Sequence, residues 1–318
     1  MQLDFLLARE RVIKAVRSFF DAQGFHELIT PVLNSSIPTE PNVYPFATRW
    51  NTIEGEKQLF LATSPEKKLK YWLAQEMGNC YSIGHSFRNL EQTGPKHTPE
   101  FLMLEWYRKH ATYETIMDDT KRLLAFVAKA LGQHTHHQPW QIYSMDTLFQ
   151  QYVESSIEHL ITDKVLIDVA QKKGYQTEQA TWEQLFDQLF LNEIEPHLPN
   201  ISFFLTDFPA RISPLCAIQR EKPWLAQRFE VYAQGMEIGN GNTEQTDTTI
   251  VRQYMEQERE VRIKNGQTVS PLDEEFLSSL QTLHETGKSY AGIGLGIDRL
   301  TLMMTNGQQI PSSFFFNL

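Results

Sequence analysis

The chain has 318 residues, 41% hydrophobic and 21% charged, a composition that sets aside disordered, fibrous and membrane classes. Its 29 Lys and Arg against 39 Asp and Glu give a net charge of −10 with the basic residues dispersed, which argues against tight, indiscriminate nucleic-acid binding. A chain this long buries roughly three quarters of its unfolded surface and needs no disulfide or structural metal, so Cys80 and Cys216 are expected as reduced thiols in a cytosolic protein.

Residues 3 to 23 read as a helix, with Leu6, Val12, Ile13, Val16, Phe19 and Phe20 at helical spacing and Gly24 ending it. Arg9, Glu10 and Arg11 stand where a signal peptide has its apolar centre, and no stretch reaches the ~18 apolar residues of a membrane span. FHELITPVL is strand-like, and Pro31 to Pro45, with Pro38, Pro41 and Asn42, is a loop. LFLATSPEKKLKYWLAQ reads as a strand entering a helix, with Ser64 as N-cap, Pro65 at the first helical position and Glu66 in the first turn. YSIGHSFRN and FLMLEWYRK flank the polar LEQTGPKHTPE as a hairpin with a long loop. Residues 112 to 200 read as a mostly helical insertion. Strand signals return in ISFFLTDF, RFEVYAQGMEIGNG and AGIGLGI, the last running into the helix DRLTLMM. Strands in two blocks with helices outside them predict an α+β fold, an antiparallel sheet flanked by helices.

Three constellations carry chemistry. In the hairpin, Arg88 ends one strand while Glu105 and Tyr107, two apart, share a face of the other. An unpaired buried charge is costly, so this Arg and acid point to a site; a structural ion pair or a water-exposed edge strand gives the same pattern. In RFEVYAQGMEIGNGNTEQTD, Glu230 and Glu237 converge across a turn at Gly235, with Asn240 and Glu244 following. Such oxygen ligands suit Mg²⁺, and a solvated acidic hairpin is the alternative. In GIGLGIDR, alternating glycines from Gly292 to Gly296 allow close ligand approach and Arg299 is delivered at a strand-to-helix junction; the spacing is not the dinucleotide GxGxxG. His134, His136 and His137 read as a polar loop, and Phe314, Phe315 and Phe316 as a buried C-terminal strand or anchor.

Taken in order, these segments resemble the three motifs of class II aminoacyl-tRNA synthetases over nearly the whole chain. QGFHELITPVL resembles motif 1, SFRN with HTPEFLMLEWYR motif 2, and GIGLGIDRL motif 3. TSPE and EIGNG place the likeness in the lysine branch. Within it TSPE and LEWYR are similar to the ligases that attach β-lysine to elongation factor P, paralogues of lysyl-tRNA synthetase. The resemblance implies one class II catalytic domain over 1–318, with the insertion at about 112–200 and no N-terminal anticodon-binding domain, which points away from tRNA and toward elongation factor P as acceptor. It also implies a homodimer with Pro31 at the interface.

At matching positions the resemblance implies the family's roles, which are expectations for this chain. Arg88 holds the substrate carboxylate and the α-phosphate, Phe101 stacks on adenine, Asn89 and Glu91 serve the nucleotide, and His97 and Arg299 reach the outer phosphates of ATP. Glu230 and Glu237 hold Mg²⁺. Glu105, Tyr107 and Glu244 receive the lysine side-chain ammonium, Glu66 the other amino group and Asn240 the carboxylate. The implied chemistry is a lysine adenylate followed by amide formation, driven by positioning and charge neutralisation without a covalent enzyme intermediate. Leu90 stands where motif 2 has an acid, so the adenine contact moves to Glu91. Asn242 replaces a Phe. Ser64 matches the β-lysine ligase whereas Gly294, Ala in that ligase, matches lysyl-tRNA synthetase, leaving α-lysine and β-lysine both open. The competing readings are a truncated lysyl-tRNA synthetase and a silent amino-acid-binding paralogue.

Overall fold

The computed structural model describes residues 2–40, 43–90, 94–133 and 140–311. Glu91, the histidines from His134 to His137 and the Phe314–Phe316 stripe lie outside them. Helix α1 (Gln2–Asp21) buries Val12, Val16, Phe19 and Phe20 along one face, and Gly24, three residues past its end with a φ of +70°, reverses the chain. The segment expected as one strand after it is two short ones, β1 (His26–Glu27) and β2 (Leu33–Asn34), parted by Thr30 and Pro31. Strands β3 (Ala47–Thr52) and β4 (Gly55–Leu61) form a hairpin that joins β2 in a small sheet; the loop expected up to Pro45 hands over to it. Helix α2 (Glu66–Ala74) begins one residue later than expected. Pro65 is its N-cap, and Ser64 Oγ accepts from the Glu66 N–H at 3.3 Å.

The main sheet continues with β5 (Cys80–Phe87) and β6 (Glu100–Lys109), the expected hairpin. Helix α3 (Tyr113–Ala130), strand β7 (Gln141–Ser144), and helices α4 (Met145–Tyr152), α5 (Ile157–Leu160), α6 (Asp163–Lys172) and α7 (Trp182–Leu189) follow. Then come β8 (Phe203–Thr206), β9 (Arg228–Ala233), β10 (Met236–Thr243), helices α8 (Thr248–Lys264) and α9 (Glu274–Glu285), β11 (Tyr290–Gly296) and α10 (Ile297–Thr305). The spatial order is β1-β5-β6-β11-β10-β9-β8-β7, antiparallel except for parallel pairs at the two edges. The architecture is the expected α+β arrangement, helices on a mainly antiparallel sheet.

One face of this sheet, with Tyr81, Leu104, Trp106, Ile293, Leu295, Phe229 and Val231, is sealed by α1, α3 and α10 into the largest core. Helix α3 therefore belongs to the catalytic layer, and the helical segment expected from 112 has a core of its own only from Met145 onward, built on Phe149, Trp182 and Phe186 against Phe203 and Leu205. A third core packs α2, α8 and α9 over Cys80 and Tyr107. The last two cores stand on the opposite face of the sheet and leave a trough between them.

Candidate active site

The trough floor follows from strand alternation. Across β6, β11, β10 and β9, Glu105 pairs with Gly294, Gly294 with Asn240, and Asn240 with Glu230. The next row on the same face is Tyr107, Gly292, Asn242 and Arg228. Polar groups two apart on each strand thus converge on one side while their apolar neighbours fill the core. The β9–β10 turn has positive φ at both Gln234 and Gly235, the geometry of a tight hairpin. A bulge between Glu237 and Gly239 then bends β10, and register places Glu230 and Glu237 on the same face, diagonal to each other. Glycine on β11 makes room: a Cβ on Gly292 would lie 2.3 Å from the Tyr107 ring.

Two cavities open on this floor. One, about 320 Å³, is acidic, with Glu40, Glu66, Glu105, Glu183 and Asp187 among its lining residues. The other, about 300 Å³, carries Arg88, Lys96, His97 and Arg299 with Phe101 and Glu237. Arg88, Met103, Asn240 and Gly294 belong to both, so the cavities meet at one guanidinium. Arg88 follows β5, its N–H bonded to Pro99 O at 2.9 Å, and its guanidinium lies 5.4 Å from the Phe101 ring centre.

In the acidic cavity Glu105, 4% exposed, accepts a 2.7 Å hydrogen bond from Tyr107 Oη. Burial first, and then the nearby Glu66 charge, hold its carboxyl well above the usual range. Such a group is ready to ionise against an incoming cation. Glu66 is ion-paired at 2.5 Å to Lys70, which also sits 2.5 Å from Glu244. Burial pushes the Glu244 carboxyl up to about 7, and Asn242 Nδ2 donates to its other oxygen at 3.2 Å. Cys216 at the wall and Cys80 beneath it have thiols pushed up to about 12 by burial, so neither is poised as a nucleophile.

In the basic cavity Arg299, from the first turn of α10, donates to Glu237 O at 2.9 Å and lies 3.0 Å from His97 Nδ1. Asp298 fixes that turn: it accepts from Arg9 Nε at 2.6 Å and from the Leu102 N–H at 3.0 Å. Glu230 is held by Arg228 at 2.9 Å and Tyr232 Oη at 3.2 Å, and burial followed by repulsion from Glu237 raises its carboxyl to about 7. Two mutually repelling carboxylates beside a cationic pocket fit a divalent cation shared with phosphate oxygens, and an aromatic ring among cations fits a nucleotide.

The family model for tRNA synthetases class II (D, K and N) matches residues 2–317. The chain belongs to this family. An elongation factor P-(R)-β-lysine ligase of Pectobacterium carotovorum is 33% identical over 98% of this chain and 94% of that protein. The ligase of the same name from Pasteurella multocida is 34% identical over 99% and 95%. A lysine-tRNA ligase of Carboxydothermus hydrogenoformans is 32% identical over 98% of this chain and 64% of its own length. The chain is an enzyme, an ATP-dependent ligase of the class II type, and among its described residues no helix is long and apolar enough to cross a membrane.

Of the residues that the class II resemblance singled out, Ser64, Glu66, Arg88, Glu105, Tyr107, Asn240 and Gly294 line the acidic cavity, and Arg88, His97, Phe101, Glu237 and Arg299 the basic one. Glu230 lies one strand beyond Asn240. Two residues are placed elsewhere. Asn89 turns back, its Oδ1 accepting from the Leu90 N–H at 3.0 Å, and does not line either cavity. Glu244 lies beneath the wall, on Lys70, because its backbone leaves β10 to pair with Cys216 and Tyr290. Sequence reasoning missed Lys70, Glu40, Met103 and the supporting role of Asn242; the Glu66–Lys70 spacing of four on a helix was the available signal for the first.

Proposed function

We propose that this class II ligase activates a lysine, in its α or β form, as an aminoacyl-adenylate and transfers it to a lysine side chain of elongation factor P, the acceptor named for its relatives. The observation that carries the reading is the junction of an acidic and a basic cavity at Arg88. A diamino acid places its ammonium groups in the first and ATP its phosphates in the second, so the carboxylate and the α-phosphate meet at one cation.

Glu105 and Tyr107 take the side-chain ammonium, Glu66 beside Ser64 the other amino group, and Asn240 the carboxylate. Phe101 stacks on adenine, Glu91 serves the nucleotide, and His97 and Arg299 bind the outer phosphates. Glu230 and Glu237 would hold Mg²⁺, which when bound neutralises phosphate charge. A carboxylate oxygen attacks the α-phosphorus, the bond to the bridging oxygen breaks and pyrophosphate leaves, with Arg88 facing the charge that builds on phosphorus. The neutral amine of the acceptor then attacks the carbonyl of the mixed anhydride, AMP leaves and an amide forms. Gly294 lies across from Glu105, so the wall beside the ammonium pocket is open to one methyl group, and the isomer preference turns on that space.

Ile29, Val32 and Leu33, on the motif 1 segment around Pro31, are 95%, 40% and 49% exposed, an apolar strip that supports a homodimer through this segment. The deciding experiment offers radiolabelled α-lysine and β-lysine with ATP to unmodified elongation factor P and to purified tRNA side by side. Label on the protein supports the proposal; label on tRNA alone moves the reading to a lysine-tRNA ligase.

A further inference from the structure

Lys70 is an ammonium group with no route to water. Its side chain is 1% exposed, its Nζ lies 2.5 Å from Glu66 Oε1 and 2.5 Å from Glu244 Oε2, and the rings of Tyr107 and Phe276 flank it at 5.6 and 5.5 Å. The contact with Glu244 is an ion pair off the hydrogen-bond axis, and that carboxylate, 1% exposed, is braced from the far side by Asn242. Glu66 is at the cavity wall; Lys70 and Glu244 are stacked behind it. Stability alone does not require this arrangement, since exchanging a buried ion pair for apolar residues of similar volume is often neutral or stabilising.

We infer that Lys70 is a positioning residue of the amino-acid pocket: anchored from behind by Glu244, its ammonium fixes the Glu66 carboxylate and sets the charge of the chamber, so that Glu244 acts on the amino acid through Lys70. The inference rests on the lysine-activating function proposed above. Within the cluster on Lys70, ionised Glu66, Glu105 and Glu244 against Lys70 leave two negative charges, one for each ammonium group of a diamino acid whose carboxylate goes to Arg88 and Asn240; the other charged residues of the cavity, Glu40, Glu183, Asp187 and Arg228, are common to every variant compared below. Without Glu244, Lys70 cancels Glu66 and of this cluster only the Glu105 charge remains. Without both Glu244 and Lys70, Glu66 and Glu105 again present two charges.

Removing Lys70 therefore has opposite signs in two backgrounds. The test measures lysine-dependent ATP–pyrophosphate exchange for wild type, Lys70→Met, Glu244→Gln and the double variant, with KM for lysine and for ATP read separately. Lys70→Met raises the lysine KM about tenfold in the wild-type background, through loss of the charge-assisted bond that fixes Glu66. In the Glu244→Gln background it lowers the lysine KM by about tenfold, while the ATP KM stays within about twofold in all four proteins. A purely structural lysine changes KM for lysine in the same direction in both backgrounds, or leaves it unchanged, and either result overturns the inference. Should Lys70→Met alone fail to fold, the comparison of Glu244→Gln with the double variant decides by itself: recovery supports the inference and no recovery overturns it. Absence of lysine-dependent exchange in the wild type would instead defeat the proposed function, before any variant is compared.

Discussion

Substituting Glu105 by Gln separates the function of the acidic cavity from its stability. Glu105 is 4% exposed, hydrogen-bonded at 2.7 Å to Tyr107 Oη, and lies across the sheet from Gly294 at the junction with the basic cavity. An ammonium seated there loses a charge-assisted hydrogen bond of about 1.5–3 kcal/mol in the variant, and more where the pair is fully desolvated. Lysine-dependent pyrophosphate exchange should therefore fall about a hundredfold to a thousandfold in kcat/KM for lysine, with the ATP KM little changed. Stability moves the other way. Burial and the Glu66 charge raise the Glu105 carboxyl above its usual 4.5, so the folded protein keeps a proton that the unfolded chain releases. That contribution is fully present below the unfolded value and is lost as pH rises through the folded one. Glutamine does not titrate, so without lysine the variant should melt at or above wild type near about pH 8, and its advantage should shrink toward about pH 5. A variant that keeps exchange within about threefold, or that melts below wild type by a gap widening with pH, refutes the reasoning.

Arg88→Ala removes the one cation that, among the described residues, both cavities share, and should reduce exchange by about a hundredfold to a thousandfold; full exchange would remove Arg88 from the chemistry. Gly294→Ala should fold normally, because its Cβ meets the Met103 sulfur at 3.4 Å, an ordinary contact. The added methyl should shift preference toward β-lysine by about 1–3 kcal/mol, read as the ratio of kcat/KM for the two isomers, and an unchanged ratio would show that this wall does not set the choice. Gly292→Ala, in contrast, drives a Cβ to 2.3 Å from the Tyr107 ring and 2.8 Å from Trp106 O, and should cost about 1–3 kcal/mol in thermal unfolding together with a raised lysine KM. An unchanged melting temperature and KM would mean that the ring gives way freely.

How far the site was legible depends on whether a residue's role follows from its own strand or from what packs on it. Arg88, Glu105 and Tyr107 were readable as candidates because charge in or beside an apolar strand needs a partner, a pocket or water, and the register of β5, β6 and β11 is what decides for the pocket. Of the β3–β4 hairpin only the end of β4, residues 59–61, was readable as a strand; the rest was not, since Trp50 and Ile53 are exposed and no alternation marks a buried face. Lys70 is the instructive failure. In KKLKYW it resembles Lys68, yet Lys68 is 30% exposed on Glu275 while Lys70 is sealed beneath the floor. The difference lies in what α2 meets: Leu69 and Leu73 pack toward α9 in the third core, and Lys70, four residues after Glu66 and three before Leu73, is carried inward with them. A basic run on a helix therefore reads as a solvated face until the partner helix is known. Asn242 follows the same logic, because it departs from the family's Phe on paper, and only the row Tyr107, Gly292, Asn242 shows that its amide stands where it can brace the carboxylate anchoring Lys70.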